Sequence, residues 1–409
     1  MIFRSQIATW YAAVALTTLT GPSVHAAPAD PPKHEAPIPA ATLALMRAKD
    51  TTPAAPILIR TYKKEAELEV WKKARNGRFV LLKTFPICRW SGQLGPKRKQ
   101  GDRQTPEGFY AVTPTQMNPN SAYYLSFNIG YPNAYDRAHG GSGAYLMVHG
   151  TCSSAGCYAM TDKQIGEIYA LAREAFAGGQ QAFQFQAYPF RTTAENMVKY
   201  RSDANIGFWR QLKEGSDRFE ATGEEPAVSV SAGRYVFKPA KDPDKEAQAV
   251  ARRSEEEARI AALTEEGKAA IRTTYADGGQ HPSFLALARL GVSLGEVSRP
   301  EALALAGREI VVTPARPKRQ ACPGDPGCPT QVAEAKGSAS GASKVWPASA
   351  PFLSIQSAIP PLLLDESSVF AFAPLYAGPT IAPKLAVPGS LQILPTHLAA
   401  MTPVSFTPM

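Results

Sequence analysis

The sequence has few of the side chains that build metal centres: its 409 residues include six histidines and five cysteines. His149, Cys152 and Cys157 are close enough in sequence to bind one zinc ion together. No fourth ligand follows them at a familiar spacing, however. The sequence therefore disfavours a zinc site.

Signals for nucleic acid and for a membrane span are also missing. No nucleic-acid recognition motif accompanies the net charge of +9. We therefore expect the basic surface to attract anionic polymers and phospholipid rather than nucleic acid. Beyond residue 26 no apolar run is long enough to cross a membrane, which predicts a mature protein without a stable membrane span.

The N-terminus has the pattern of a secretory signal peptide over residues 1–26. Arg4 supplies the positive charge, residues 7–19 are largely apolar, and Val24–Ala26 offers a cleavage site with small residues. An uncleaved membrane anchor is the alternative, but the apolar run is short for a span. The mature protein is therefore expected to be exported, into the periplasm. Residues 27–55 are rich in Ala and Pro and predict a flexible linker.

Export permits disulfides, and five cysteines leave at least one thiol free or one intermolecular bond. A bond between Cys152 and Cys157 is one pairing that the spacing allows. Cys88 and Cys152 are either paired or simply buried. A turn-rich loop could close a local disulfide between its two ends, Cys322 and Cys328. We assign the free, reactive thiol to Cys157.

Short β-type runs and one amphipathic helix organise residues 56–190. Asn76–Gly77 separates two of the early runs and predicts a type I′ hairpin. A capping box at Thr161 and Gln164 predicts the start of a helix, and Gly178–Gly179 predicts its end. The predicted strands include Ile57–Tyr62, Leu68–Trp71, Phe79–Phe85, Ala144–Val148 and Ala182–Ala187.

The residues with catalytic potential follow the strand Ala144–Val148. His149 and Gly150 end this strand, and Gly156 immediately precedes Cys157. A thiol beside a glycine turn, with an imidazole close by, suits thiol acyl transfer. The thiolate attacks a carbonyl, the imidazole moves the proton and backbone N–H groups bind the oxyanion. A buried structural cysteine and a hydrogen-bonded structural histidine are the alternatives.

The same stretch resembles the L,D-transpeptidases of bacterial cell walls, which have the YkuD-type catalytic domain. His149–Gly150 and Ser154–Cys157 match the two family elements, although Ala155 replaces the usual histidine of the second. The string from His149 to Asp162 is similar to that of the YafK-like branch. Gly101–Tyr110 repeats a further family string. The resemblance implies a mainly β, sandwich-like catalytic domain over 56–190 and a location in a Gram-negative periplasm.

The resemblance also implies a reaction and roles for its residues. Cys157 would attack the carbonyl at the L-centre of diaminopimelate in a peptidoglycan stem peptide, and no cofactor is implied. His149 would donate and accept the proton and, as an imidazolium, lower the pKa of the thiol. The amides of Gly156 and Cys157 would bind the oxyanion. Ser154 would shape the turn or orient His149.

Two further functions and two further residues complete the predictions. One alternative is an amidase that cleaves proteins or peptides from diaminopimelate, which would make a wall-attached lipoprotein a partner. The other is a non-catalytic wall-binding module. His139 and Tyr158 are candidates for substrate binding, although a solvent-exposed loop histidine is the simpler interpretation of His139. Residues 191–315 predict an α-helical extension, and the Pro- and Ala-rich residues 316–409 predict a disordered tail.

Overall fold

The computed structural model describes residues 31–305 and 307–315. The predicted signal peptide, the predicted tail and the pair Cys322 and Cys328 lie outside the described residues. The strands up to residue 188 are β1 (Ile57–Tyr62), β2 (Glu67–Lys73), β3 (Phe79–Pro86), β4 (Gly108–Val112), β5 (Met117–Asn118), β6 (Ser126–Asn128), β7 (Met147–His149), β8 (Tyr158–Ala159) and β9 (Phe183–Tyr188). The helices of this part are α1 (Ala40–Ala48), α2 (Ala134–Ala138) and α3 (Asp162–Ala177).

Two sheets form the catalytic domain. Five strands make the first, in the order β3-β2-β1-β9-β4, and four make the second, in the order β5-β6-β7-β8. β1 is antiparallel to β2 and parallel to β9, and every residue of β1 is buried. β7 and β8 are parallel, with Val148 opposite Tyr158. The predicted mainly β catalytic domain is confirmed.

Helix α3 follows the second sheet and packs against strands of both sheets. Thr161 caps its first turn and Gln164 completes the capping box, as the sequence predicts. One face of the helix is apolar and buried, and it includes Ile165, Ile168 and Ala172. Because α3 begins only a few residues after Cys157, its packing fixes one side of the segment that carries the thiol.

The predicted hairpin between β2 and β3 is present, and Gly77 has the positive φ of 81° that such a turn requires. The flexible linker predicted over 27–55 is wrong for part of that segment. Residues 40–48 form α1, and Met46 on this helix is 1% exposed within the core. Burial of the apolar side chain offsets the loss of chain entropy, so these residues are ordered.

Residues 191–315 add helices to the catalytic domain, but they also add two short two-stranded sheets. The helices are α4 (Ala194–Lys199), α5 (Ile206–Thr222), α6 (Pro243–Glu265), α7 (Pro282–Arg289) and α8 (Pro300–Leu303). The strands are β10 (Val228–Ser231), β11 (Arg234–Phe237), β12 (Ala270–Thr274) and β13 (Arg308–Thr313). None of the described helices is long and apolar enough to cross a membrane.

A buried polar contact anchors this extension. Trp209 on α5 donates its indole N–H to Glu107 Oε2 over 2.9 Å, and Lys63 pairs with Glu107 Oε1 at 2.9 Å. Lys63 and Glu107 are both fully buried. Because loss of one partner leaves a buried charge unpaired, this contact ties α5 to the catalytic domain. One carboxylate oxygen of Glu107 therefore pairs with Lys63 of the catalytic domain, and the other accepts from Trp209 of the extension.

Candidate active site

The loop between β7 and β8 holds the candidate catalytic residues. Gly150 begins the loop, and a Cβ atom there would lie 2.5 Å from Asp162 Oδ1 and 2.9 Å from Tyr123 O. Gly156 ends it with a φ of 140°, a conformation that residues with a side chain rarely adopt. Both glycines of the sequence motif therefore have a steric role. We call residues 150–157 the catalytic turn.

The thiol of Cys157 is half-buried at the end of the catalytic turn. Met147 donates its backbone N–H to Sγ over 3.4 Å, and the thiol donates to Tyr145 O over 3.8 Å. Burial raises the pKa of Cys157 above its ordinary value. The Met147 N–H and the charge of Lys97 oppose this rise only in part. The thiol is therefore protonated at neutral pH.

The imidazole of His149 is buried and has a fixed tautomer. Its Nδ1 lies 2.5 Å from Gly150 O. Because a carbonyl oxygen only accepts, Nδ1 carries the proton and Nε2 is left as an acceptor. The ring lies against Tyr123, with centroids 4.8 Å apart. Burial lowers the pKa of His149, and the hydrogen bond to Gly150 only partly counters this. The ring is therefore neutral at neutral pH.

The pairing of β7 with β8 brings together the two chain segments that carry the imidazole and the thiol. Alternate residues of a strand share a face, so His149 and Met147 face the same way on β7. Cys157 lies beside Met147, to which it is hydrogen-bonded. Among the described residues, however, no hydrogen bond joins His149 to Cys157. The predicted imidazolium that lowers the thiol pKa is wrong for this state, because burial disfavours the charged form of both groups.

Ser154 holds the catalytic turn together. Its Oγ donates to Cys157 O over 2.7 Å, accepts the Gly156 N–H over 3.2 Å and lies 3.0 Å from Ser91 Oγ. The structure thus places Ser154 where it shapes the turn. Its hydroxyl makes no hydrogen bond to His149 within the described part of the chain.

The predicted oxyanion role of the Gly156 amide meets a structural objection, because Ser154 already accepts that N–H. The Cys157 N–H differs: in the described ranges, 31–305 and 307–315, it donates to no acceptor. The carbonyl of the same residue accepts from Ser154 and from Thr105. The Cys157 amide is therefore the better candidate for the oxyanion.

The two residues predicted to bind substrate lie in different surroundings. His139 is exposed at the C-terminus of α2, where Nδ1 lies 2.9 Å from Tyr135 O and the ring stacks on Tyr135. The prediction for Tyr158 is wrong. This side chain is fully buried against Phe185 and donates its hydroxyl proton to Pro106 O, because it faces the core between the sheets.

A disulfide fixes the start of the catalytic turn. Cys152 is bonded to Cys88, with 5.3 Å between the Cα atoms, and both residues are buried. This bond excludes the alternative pairing of Cys152 with Cys157. It also removes Cys152 as a thiolate ligand, so the zinc alternative loses one of its three candidate ligands. Cys157 is the free cysteine among the described residues.

Sequence reasoning missed several neighbours of the thiol and the imidazole. Tyr123 covers one face of His149 and is 49% exposed, and Tyr145 precedes β7 and is 79% exposed. Exposed aromatic rings at a site suit contact with a ligand. Ser298 of the extension contacts the backbone of Ser154. No local pattern signals Ser298, because 144 residues separate the two serines.

Comparison with solved structures gives weak similarity. The cell shape determining protein Pgp2 from Campylobacter jejuni is 16% identical, covers 57% of this chain and 80% of its own, and has a TM-score of 0.27. Bd1075 from Bdellovibrio bacteriovorus is 14% identical, covers 55% of this chain and 77% of its own, and has a TM-score of 0.25. Likeness at this level carries no argument about function.

Comparison of sequences is decisive. The family model for the YkuD L,D-transpeptidase catalytic domain matches residues 58–178. "Putative L,D-transpeptidase YafK" of Escherichia coli K12 is 49% identical over 181 residues, which are 44% of this chain and 73% of that protein. The same protein of Escherichia coli O157:H7 matches equally. Residues 58–178 contain all but the first residue of β1, the strands β2 to β8, the catalytic turn and helix α3. The chain therefore belongs to the L,D-transpeptidase family, in its YafK-like branch, and has a function related to the bacterial cell wall.

Proposed function

We propose that the protein is a cysteine-dependent L,D-transpeptidase that acts on peptidoglycan stem peptides through a thioacyl-enzyme. One observation carries the proposal: the free thiol of Cys157 is hydrogen-bonded to the backbone of Met147, two residues before His149 on β7, and the His149 ring has an unprotonated Nε2. A nucleophile with a base close to it is the arrangement that acyl transfer requires. The family supplies the substrate class.

Acylation starts from a neutral thiol and a neutral imidazole. As Sγ of Cys157 attacks the carbonyl at the L-centre of diaminopimelate, its proton passes to Nε2 of His149. The new C–S bond leaves a negative oxygen, which the Cys157 N–H stabilises. The oxyanion then collapses, the peptide C–N bond breaks and the amine of terminal D-alanine leaves with the proton from His149. A thioester remains on the enzyme.

Deacylation reverses the roles of the same groups. An amine from a second stem attacks the thioester, gives its proton to His149 and forms the new amide bond. The sulfur leaves and is reprotonated by His149. The bond from Nδ1 to Gly150 O keeps the ring in one orientation through both steps, so Nε2 exchanges the proton each time.

The acceptor decides the product. If an amine attacks the thioester, the product is a cross-link. If water attacks the same thioester, it is hydrolysed. Hydrolysis of a bond to a wall-attached lipoprotein would make the protein an amidase. Tyr123 and Tyr145 are exposed beside the two reacting groups and offer apolar rings to the stem peptide. The substrate lies outside the cytosol, which agrees with the secretory signal peptide predicted over residues 1–26.

Purified muropeptides with tetrapeptide stems test the proposal. The wild-type protein should release D-alanine, form a thioacyl adduct on Cys157 and yield cross-linked dimers by mass spectrometry. Cys157→Ala should do none of these. Tripeptide monomers without dimers would show that water is the acceptor, and release of a bound lipoprotein peptide would show the amidase activity; either result would replace transpeptidation. Wild-type protein that binds the wall, yet gives no adduct and no product, would identify a binding module instead.

A further inference from the structure

One segment of chain, residues 87–92, separates the C-terminal extension from β8, the strand that follows the nucleophile. Residues 277–281 run along residues 87–92: Gly278 donates its N–H to Gly92 O over 2.7 Å, and Trp90 pairs with Gly279. On the other edge of the same segment, Arg89 pairs with Ala159 of β8. The extension therefore reaches the nucleophile strand through one intervening segment of chain.

Ser298 of the extension is hydrogen-bonded to the backbone of the catalytic turn. Ser298 Oγ accepts the Ser154 N–H over 2.9 Å and donates to Ser154 O over 3.1 Å. The same carbonyl accepts from Arg103 Nη2 over 3.1 Å. Ser298 thus satisfies both backbone groups of the residue whose hydroxyl ties the turn together.

A buried carboxylate of the extension holds Arg103 in place. Asp277 is 3% exposed, and its Oδ2 lies 2.6 Å from Nη2 of Arg103. Its other oxygen accepts the Gly92 N–H over 3.1 Å. Arg89 and Arg299 also lie within ion-pair distance of this carboxylate. Asp277 is therefore the centre of an arginine cluster that ends on the catalytic turn.

A third contact reaches the other end of the turn. Phe284 on α7 is 4% exposed and packs with Cys88 and Cys152, the two residues of the disulfide. The extension thus holds the turn at Cys152 through apolar packing and at Ser154 through hydrogen bonds. From Ser154 only one further hydrogen bond leads to the carbonyl of Cys157.

We propose that Ser298 and Asp277 are positioning residues for the nucleophile, so that the extension is a working part of the active site. This proposal rests on the proposed role of Cys157. Two hydrogen bonds in series, from Ser298 to Ser154 and from Ser154 to Cys157, set where the Cys157 thiol and N–H point. Small displacements of reacting atoms reduce turnover far more than they reduce binding.

Three substitutions test this in the full-length protein. Ser298→Ala removes both contacts to Ser154 and should lower kcat for D-alanine release about tenfold or more, with KM changed less than about twofold. Ser298→Thr keeps the hydroxyl and should restore kcat. Asp277→Asn releases Arg103 and should lower kcat in the same way. The matched control is Ser229→Ala on β10, whose hydroxyl, within the described part of the chain, is hydrogen-bonded only to Val236 O in its own hairpin.

Iodoacetamide labelling of Cys157 gives a second readout that needs no substrate. A loosened turn exposes the thiol, so Ser298→Ala should label faster than wild type and Ser229→Ala should not. Unchanged kcat and unchanged labelling in Ser298→Ala would overturn the positioning role while leaving the proposed function intact. If wild type is inactive on muropeptides, the proposed function fails, and the labelling rates alone still decide whether Ser298 positions the thiol. A lower melting temperature with kcat intact would show a purely structural contact and would also overturn the proposal.

Discussion

Ser154→Ala separates the architecture of the catalytic turn from its chemistry. The substitution removes the Oγ that joins Cys157 O, the Gly156 N–H and Ser91 Oγ. Ser154 is 3% exposed, so water does not readily replace the lost partner. At about 1 kcal/mol for each net hydrogen bond, the free energy of unfolding should fall by about 3 kcal/mol. The Cys157 carbonyl keeps a longer contact with Thr105, which moderates the loss.

The effect on turnover should exceed what stability explains. Without the Ser154 hydroxyl the Cys157 peptide group is free to tilt, and kcat should fall by about tenfold to a hundredfold. The control is Ser216→Ala on α5, a serine that is 5% exposed and accepts from Arg60. It should lose stability but keep kcat. Urea unfolding and D-alanine release are the measurements. Equal kcat values for Ser154→Ala and wild type would refute the reasoning.

Four further outcomes are expected. Cys157→Ala should abolish turnover with the fold retained, measured by product mass and circular dichroism. Cys152→Ala should keep measurable turnover but lose about 4 kcal/mol of unfolding free energy, since the disulfide to Cys88 closes a loop across a sequence separation of 64. His149→Ala should slow acyl transfer about a hundredfold while the pH dependence of Cys157 labelling stays near that of wild type. Because its pKa is raised, Cys157 should react with iodoacetamide more slowly than free cysteine at neutral pH. Lys97→Met removes a charge that lowers this pKa and should slow the labelling further. Labelling of wild type faster than that of free cysteine would contradict this.

Local patterns predicted the elements that local interactions determine. The capping box at Thr161 and the turn at Gly77 each depend on a few neighbouring residues, and both were found. The assignment of residues 40–48 to a linker failed because an Ala- and Pro-rich composition does not show that Met46 reaches the core. The predicted substrate role of Tyr158 failed for a similar reason, since the direction of a side chain depends on which sheet face is covered.

Long-range contacts account for the other differences at the site. Two contacts join residues that no sequence periodicity connects. They are the disulfide between Cys88 and Cys152 and the hydrogen bonds between Ser298 and Ser154. The raised pKa of the Cys157 thiol has the same origin, because burial depends on the packing of distant segments. The sequence motif therefore predicted which side chains react, but not whether those side chains are charged before the reaction.

The place of β1 in the first sheet has a consequence for synthesis of the chain. β2 follows β1 directly in the chain and pairs with one of its edges. The other edge pairs with β9, which is synthesised much later, so that Ile59 lies opposite Phe185. A chain that ends before β9 leaves β1, which is buried in the complete protein and begins with three apolar residues, with an open edge, which favours aggregation. Pairings of such large sequence separation also slow folding. A nascent chain should therefore depend on chaperones, or on delayed folding, until β9 has been synthesised.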